Sequence, residues 1–445
     1  MTNKTEKHLM KTVTQVSKAM QAVLIEKPNQ LARETGFMDR ERVLTGTSFV
    51  TGLMSGWQAD PQASLEGLSQ AIGNAGTPIS RQGLDYRFNE KAVNFVKAVL
   101  EASLEVAISA KPVSEGLLKR FTSVDLVDSS IVTLPNSLAS TWRGSGGYGE
   151  NASVSAVKLN VRLDVKNGHL KTLDLSDGTQ HDRHSIAHRQ AMEAGSLQIG
   201  DLGYFKLDDF EAIEGQNAYW LSRYKVGTKV YDEQGTLFDL PNWLPQQVGQ
   251  TIDCSVLLGK KKQLPCRLVA ERVPARVVRQ RYERLQEIAR KKGTPVSQKA
   301  RAMAHWTIYV TNVPRDLLTT QEVFILGRYR WQIELLFKLW KSDLQIDKWA
   351  SANPYRILCE LYTKLIGSIV THWLLLVACW HNPHHSFRLA IPTIQGLAWQ
   401  FANSLHNLKL LQHTFSALCR SLSKTKMGKS RTDPRAWQLI YENIA

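Results

Sequence analysis

The sequence of 445 residues predicts an α+β fold in which a mixed sheet is flanked by helices. Three observations support this prediction. Apolar residues recur at three- and four-residue spacing up to about residue 115, which is typical of helices. From about Phe121 to Arg272 apolar and polar residues alternate and β-branched residues are frequent, which is typical of strands. After Pro354 the spacing is again that of helices.

The composition points to a polyanionic partner. Lys and Arg number 56 against 40 Asp and Glu, which gives a formal net charge of +16. DNA or RNA is the commonest partner of so basic a protein, although a basic protein without such a role has the same composition. The five cysteines contain no Cys-x2-Cys pair, which excludes a disulfide framework or a zinc ribbon and fits a reducing cytosol.

One apolar stretch, Leu365 to Trp380, requires a decision about membranes. It is shorter than the roughly 20 residues that a membrane span needs, and it carries His372. We therefore expect a buried core helix and no association with a membrane.

The first helical region contains a candidate DNA-binding helix pair. Ser80 is a potential N-cap of a helix that begins at Arg81. A helix, a short turn and a second helix with Arg81 and Arg87 exposed would suit DNA binding. A small helical bundle without this role has the same pattern.

Two aspartates follow apolar strands. Asp128 is predicted at the end of the strand "SVDLVD", and Asp201 at the end of "LQIGD". Asp125 is the weaker candidate, because in a regular strand it lies on the other face. Between the two strands, Asn167-Gly168 is a strong turn signal and predicts a β-hairpin.

The stretch "RWQIELLFKLWKS", which begins at Arg330, reads as one amphipathic helix. At about 100° per residue, Arg330, Glu334 and Lys341 share one stripe. Another stripe contains Trp331, Leu335 and Leu339 and is widened by Leu336 and Trp340, so this apolar side is predicted to face the core. An ordinary Arg–Glu pair four residues apart would explain the polar stripe equally well.

An ordinary Arg–Glu pair becomes the weaker explanation when Glu334 is considered together with the two aspartates. Asp128, Asp201 and Glu334 could converge from two strands and one helix. Three carboxylates supply the hard oxygen ligands that two Mg²⁺ ions need for phosphoryl transfer.

The segments "VDSSIVTLP", "IGDLGYF" and "YRWQIELLFKLWKS" resemble the acid-bearing segments of DDE transposases from bacterial insertion sequences. The closest resemblance is to insertion sequence family 4, whose last segment carries Tyr-x2-Arg-x3-Glu-x6-Lys. The early segments "ARETGFMDRERVLTG" and "SRQGLDYRFN" are similar to that family's N-terminal helical domain. The resemblance implies an RNase H-like catalytic core with a β-rich insertion before the glutamate.

The pattern and the resemblance together give these expected boundaries: an N-terminal helical DNA-binding domain at 1–115, the first part of the core at 116–225, the insertion at 226–304, the second part of the core at 305–375 and a C-terminal helical region at 376–445.

The resemblance also implies roles for single residues. Asp128, Asp201 and Glu334 would hold two Mg²⁺ ions, for which Mn²⁺ could substitute. Arg330 and Lys341 would grip DNA phosphates together with the signature tyrosine. Here the tyrosine position is Gly327, so one hydroxyl contact is missing.

Two other features, a tryptophan and a basic helix, could each either contact DNA or have only a structural role. Some relatives stack a tryptophan on a flipped base in the region of Trp306, but a core tryptophan is at least equally expected. The basic helix from Arg276 to Lys292 is either a contact for the DNA backbone or a solvated face.

The resemblance implies a cut-and-paste DNA transposase. It would bind the terminal inverted repeats of its element, join them to target double-stranded DNA and work as a homodimer in a synaptic complex. Its place would be the bacterial cytoplasm, at the nucleoid. The alternatives are a catalytically impaired, transposase-derived DNA-binding protein and an RNase H-like structure-specific nuclease.

Overall fold

A computed structural model describes residues 3–40, 43–110, 116–146, 153–247, 249–380 and 386–422. They belong to two compact units. The first unit contains described residues of Met1–Val113, Ser129–Gln180 and Gln332–Gln438, and the second those of Ser114–Asp128 and His181–Trp331. The five regions expected from the sequence remain predictions, and the last of them continues beyond the described residues.

The described helices and strands have the following bounds. The helices are α1 (Asn3–Gln21), α2 (Lys27–Glu34), α3 (Gly46–Ala59), α4 (Leu65–Asn74), α5 (Arg81–Asp85), α6 (Glu90–Leu104), α7 (Ile186–Arg189), α8 (Leu207–Glu214), α9 (Leu240–Trp243), α10 (Ala275–Lys292), α11 (Gln298–Ala304), α12 (Thr320–Tyr329), α13 (Trp331–Lys338), α14 (Pro354–Ala378), α15 (Phe387–Gly396), α16 (Ala398–Ser404) and α17 (Leu408–Leu422). The strands are β1 (Val124–Thr133), β2 (Ala156–Asp164), β3 (His169–Asp177), β4 (Leu197–Gly200), β5 (Tyr219–Arg223), β6 (Val230–Tyr231), β7 (Thr251–Leu258), β8 (Leu264–Arg272) and β9 (Trp306–Thr311).

The strands form a mixed sheet in the order β3-β2-β1-β4-β5-β9-β8-β7-β6. β4 is parallel to both β1 and β5. The β2–β3 pair and the pairs from β5 through β9 and β8 to β7 and β6 are antiparallel. The predicted α+β class with a mixed sheet flanked by helices is confirmed.

The core of the first unit is built around α14. This helix is long and apolar enough to cross a membrane by length and composition alone, but 94% of its apolar window is buried inside the protein. The prediction of a buried core helix is confirmed. Aromatic rings from the N-terminal part of the chain add to this unit, with Phe37, which follows α2, stacked on Phe95 of α6 at a centroid distance of 5.0 Å.

The predicted hairpin is also confirmed, and its turn packs on α14. Gly168 has φ +74°, a conformation that favours glycine. His372 Nε2 lies 2.7 Å from the Gly168 carbonyl oxygen, to which it donates. A Cβ on Gly168 would meet Leu376 and would lie 2.8 Å from Trp380. The hairpin turn therefore approaches α14 as closely as a bare backbone permits.

In the second unit, the strands of the predicted insertion extend the same sheet. β8 pairs with β9 over six residues, from Arg267↔Thr311 to Arg272↔Trp306, and β7 and β6 continue from β8. Behind these strands lies a hydrophobic cluster in which Phe210 stacks on Trp220 at 4.2 Å. The basic helix predicted after β8 is α10, which ends at Gly293 with the left-handed φ of 62°.

The single long helix expected around Glu334 is divided. Arg330 is the C-terminal cap of α12, α13 follows, and the last turn, Leu339–Asp343, is a π-helix. Trp331 and Leu335, predicted to face the core, are 55% and 43% exposed. The prediction of burial is wrong for these two residues, which lie within α13 on the flanks next to Glu334, and it is confirmed for Leu336, Leu339 and Trp340.

Candidate active site

Asp128 on β1 and Asp201, which directly follows β4, stand at matching positions along two neighbouring strands. The parallel register pairs Val127 of β1 with Gly200 of β4, and each aspartate directly follows one of these residues. Neighbouring strands lie about 4.8 Å apart, so the two residues are adjacent along the sheet. The sequence placed Asp128 at the end of its strand. This is wrong, since β1 continues to Thr133, but its pairing with β4 ends one residue before Asp128.

Burial separates Asp128 from its competitor in the same strand. Asp125 is only 1% exposed. The Asp128 side chain keeps 17% exposure. Asp125 is therefore the less accessible of the two candidate ligands, and an ion or DNA has to reach its ligand from the solvent.

Asp201 begins a tight loop. Its φ of −80° and ψ of 173° are extended, and the chain then turns through a 3-10 helix at Leu202–Tyr204. The Tyr204 N–H donates to the Asp201 carbonyl at 3.0 Å. A Cβ on Gly203 would lie 2.7 Å from Asp182 Oδ2. The loop that follows Asp201 thus packs on a further acid at Gly203, which no spacing in the sequence indicated.

Arg330 contacts Asp128 directly. Its NH1 lies 3.3 Å from Asp128 Oδ2, and the two side chains are 18% and 17% exposed. Arg330 reaches this position from the end of α12, where its backbone is still helical at φ −48° and ψ −29°. A charge-assisted contact of this kind is stronger than a neutral hydrogen bond. The structure therefore places a predicted DNA-binding residue on a predicted metal ligand.

In the first unit, Glu334 lies half-buried on α13 and Lys341 lies in the π-helical turn. The Lys341 ammonium donates to the Ile131 carbonyl at 2.6 Å. Burial lowers the pKa of Lys341, and the charge of Asp347 opposes this effect. Trp349 Nε1 donates to the Thr133 carbonyl at 3.2 Å. Lys341 thus contacts the second half of β1 as well as being a predicted DNA contact.

The donor chemistry of the two strand aspartates suits a hard divalent cation. Asp128 and Asp201 offer carboxylate oxygens at adjacent positions, and such oxygens are the ligands that Mg²⁺ prefers. Over the described ranges, no group of three or more His, Cys, Asp or Glu side chains is arranged to hold a metal ion.

Trp306 opens β9 and belongs to the hydrophobic cluster of the second unit. It is 3% exposed, and the Arg272 guanidinium lies over its ring at 5.2 Å. This placement matches the core role that the sequence left open. A ring so deeply buried would have to leave the core before it could stack on a base.

Comparison with known proteins decides the family. Residues 119–369 match the model of the transposase DDE domain. The chain belongs to the DDE transposase family. It is 31% identical over 363 residues to the transposase for insertion sequence element IS231F of Bacillus thuringiensis subsp. israelensis, covering 76% of this chain and 75% of the relative. It is 26% identical over 392 residues to the transposase for IS1151 of Clostridium perfringens, covering 83% and 80%.

Membership of this family is consistent with the predicted RNase H-like core. The chain resembles insertion sequence family 4, as expected from the three acid-bearing segments. The matched range includes Asp128, Asp201 and Glu334. Their individual roles in this transposase remain predictions.

The N-terminal helices of the transposase carry the predicted helix pair. The Ser80 hydroxyl accepts from the Gly83 N–H at 3.1 Å, so Ser80 is the N-cap of α5 as predicted. Arg81 is exposed at the start of α5, and Arg87 is half-buried after its end. DNA contact by these two arginines stays a prediction.

Helix α10 presents most of its cations to solvent. Arg281 differs, because its NH1 donates to the Trp306 carbonyl at 2.7 Å and its NH2 to Thr307 Oγ1 at 2.8 Å. This side chain therefore ties the helix to β9. The exposed cations of the helix are Arg276, Arg279, Arg284, Arg290 and Lys291.

Proposed function

We propose that this chain is a cut-and-paste transposase that cleaves DNA at the ends of its insertion sequence and joins the freed 3′-OH to target DNA. The observation that carries the proposal is the adjacent placement of Asp128 on β1 and Asp201 directly after β4, within the range that matches the DDE domain. Arg330 beside Asp128 supplies a guanidinium where phosphoryl transfer would need positive charge.

Asp128, Asp201 and Glu334 would hold two Mg²⁺ ions, for which Mn²⁺ could substitute. When bound, the ions would supply a nucleophile at neutral pH and stabilise the leaving oxygen. The chain's own residues would do the positioning. Arg330 has several N–H donors, so it can orient the Asp128 carboxylate with one and donate to DNA phosphate oxygens with others.

The proposed substrate is double-stranded DNA. The terminal inverted repeats would bind through the N-terminal helices with Arg81 and Arg87, and Lys341 would contact a phosphate near the cleaved end. Two chains would pair in the synaptic complex, because two ends have to be joined. The expected place of action is the bacterial cytoplasm, at the nucleoid.

The first test is cleavage of a linear DNA that carries the element's own ends, with Mg²⁺ or Mn²⁺. Wild type is compared with Asp128→Ala, Asp201→Ala and Glu334→Ala, and with Glu287→Gln on the exposed face of α10 as a matched acidic control. We expect cutting at the ends and joined products from wild type and control only.

Three outcomes would change the proposal. Cutting by the triad variants at the wild-type rate would reject the assignment of the acids. Cutting without joining would favour the structure-specific nuclease. End binding without cutting by wild type would favour the impaired DNA-binding protein, an alternative motivated by Gly327 in place of the signature tyrosine.

A further inference from the structure

Gly327 on α12 is covered by a tyrosine from a neighbouring strand. A Cβ built on Gly327 would lie 2.5 Å from Tyr309 Oη and 2.6 Å from Tyr309 Cε1, well inside van der Waals contact. The Tyr309 phenol therefore packs directly on the helix backbone. Phe324, on the same helix, holds the ring in an edge-to-face contact with centroids 5.7 Å apart. A side chain at position 327 and the Tyr309 ring cannot occupy this space together.

Arginines converge on this phenol from a strand and a helix of the second unit. Arg223 of β5 is directly opposite Tyr309 of β9, so the two side chains share one face of the sheet. Arg328 follows Gly327, and Arg330 lies one helical turn after it. Arg223 and Arg328 are exposed, whereas Arg330 keeps 18% of its side-chain surface.

The arginines of this group are cationic. Arg330 pairs with Asp128. Three arginine side chains whose charges act on one phenol make a site that attracts an anion. The planar N–H forks of arginine match phosphate oxygens in particular.

We propose that Tyr309, Arg223, Arg328 and Arg330 form a phosphate-binding subsite for the backbone of the DNA end, in which Tyr309 Oη donates a hydrogen bond to a phosphate oxygen. The subsite rests on the proposed function. In it, β9 supplies the phenol that α12 lacks at Gly327, so the chain keeps a tyrosine hydroxyl beside Arg330 although it departs from the signature.

The protonation state of the phenol suits this role. Burial raises the pKa of Tyr309, and the surrounding arginine charges oppose that rise without cancelling it. The phenol is therefore protonated at neutral pH and can donate to a phosphate. Arg281, whose charge also acts on Tyr309, is engaged with β9 oxygens and is not counted in the subsite.

The test measures affinity for a duplex with the element's end by fluorescence anisotropy in EDTA, where cleavage does not interfere. Tyr309→Phe keeps the ring and removes only the hydroxyl. We expect about 10-fold weaker binding, since a hydrogen bond to a charged group contributes about 1.5 kcal/mol or more. The salt dependence should not change, whereas Arg223→Ala and Arg328→Ala should each reduce the slope of log K against log salt by about 1.

Tyr224→Phe is the matched control. Tyr224 belongs to the same unit, is 8% exposed like Tyr309, and donates its hydroxyl to the Thr228 carbonyl at 2.5 Å. Wild-type affinity in Tyr309→Phe would overturn the proposal. An equal loss of affinity and of melting temperature in both variants would also overturn it, because the effect would then be one of folding.

A swap gives a second, independent readout. Tyr309→Leu with Gly327→Tyr moves the phenol from the strand to the helix and frees the space that the helix residue needs. We expect the pair to bind the DNA end more tightly than Tyr309→Leu alone. A folded pair that binds no better than Tyr309→Leu would contradict the subsite. Tyr309→Phe retains all ring contacts and so decides the matter even where the swap is unstable.

The subsite and the proposed catalysis can fail separately. If Tyr309→Phe weakens binding but wild type never cuts DNA, the phosphate contact is supported and the proposed cleavage activity is rejected. If wild type cuts DNA and Tyr309→Phe binds it like wild type, the cleavage activity is supported and the phosphate-binding subsite is rejected.

Discussion

The guanidinium of Arg330 lies 3.3 Å from the carboxylate of Asp128. This contact couples the end of α12 to β1 within one unit of the protein. It gives Arg330 two tasks, since it holds a proposed metal ligand and carries positive charge toward a proposed phosphate site. A single compact ammonium could not perform both tasks, because it lacks the planar fork of N–H donors.

The first prediction concerns Arg330→Lys. We expect end cleavage in single turnover to fall about 100-fold, while affinity for the end in EDTA falls by less than about 10-fold, because charge is kept and the fork is lost. Arg388→Lys, at an exposed position of α15, is the control and should cut like wild type. A full cleavage rate in Arg330→Lys would show that the Asp128 contact has no part in the reaction.

The second prediction concerns stability against acid. Burial lowers the pKa of His372 from 6.5 to about 4. Between these values the unfolded chain binds the proton and the folded protein does not, so stability rises with pH across this window. The His372 contribution is therefore fully present above pH 6.5 and is lost as pH falls toward 4. The loss should amount to about 3 kcal/mol.

Denaturant unfolding between pH 4.5 and 7 checks this. His372→Gln keeps a donor for the Gly168 carbonyl but cannot titrate, so its stability should depend less steeply on pH than that of wild type. His406→Gln, at an exposed position, should leave the wild-type pH dependence unchanged. Identical slopes for His372→Gln and wild type would refute the assignment.

The third prediction concerns the hairpin turn. Gly168→Ala should destabilise the protein by about 3 kcal/mol, since the new Cβ meets Leu376 and Trp380 and the positive φ is strained as well. Gly227→Ala shares the positive φ, at 98°, but its Cβ meets nothing within 4 Å. It should cost only about 1 kcal/mol. Equal losses in thermal or denaturant unfolding would mean that the packing of the turn on α14 contributes nothing.

The fourth prediction concerns α10. If its exposed cations contact the DNA backbone, replacing Arg276, Arg279 and Arg284 by alanine should reduce the slope of log K against log salt by up to about 2.7. Because phosphate contacts carry no sequence information, affinity should fall alike for end and random DNA. A triple variant that binds both DNAs with the wild-type salt dependence would identify α10 as a solvated face.

Local patterns were sufficient for much of the fold. Alternating β-branched residues predicted β1, the Asn167-Gly168 signal predicted the hairpin of β2 and β3, and the basic run predicted α10. The burial of α14 was also predictable, because a short apolar stretch with a histidine suits a core better than a bilayer. These features depend on neighbours close in sequence.

The features that were mispredicted depend on contacts between distant residues. A uniform helical period cannot predict the interruption at Arg330 or the π-helical turn. The apolar residue types of Trp331 and Leu335 suggested burial, but both side chains are exposed on α13. Likewise, Tyr309 of strand β9 packs on Gly327 of helix α12, and Tyr309 lies outside the signature pattern that the sequence shows. From the sequence alone, only the missing signature tyrosine is visible. Asp182 near Gly203 belongs to the same class.

The two outermost strands of the sheet limit how copies of this protein can associate. β6 has only two residues, so it presents almost no free backbone for a strand of another chain. β3 has nine residues but carries Lys171, Asp174 and Asp177, whose charges oppose the addition of another strand. A pair of chains that bridges two DNA ends would therefore meet through side-chain surfaces and the DNA itself, and not by extending the sheet from one copy into the next.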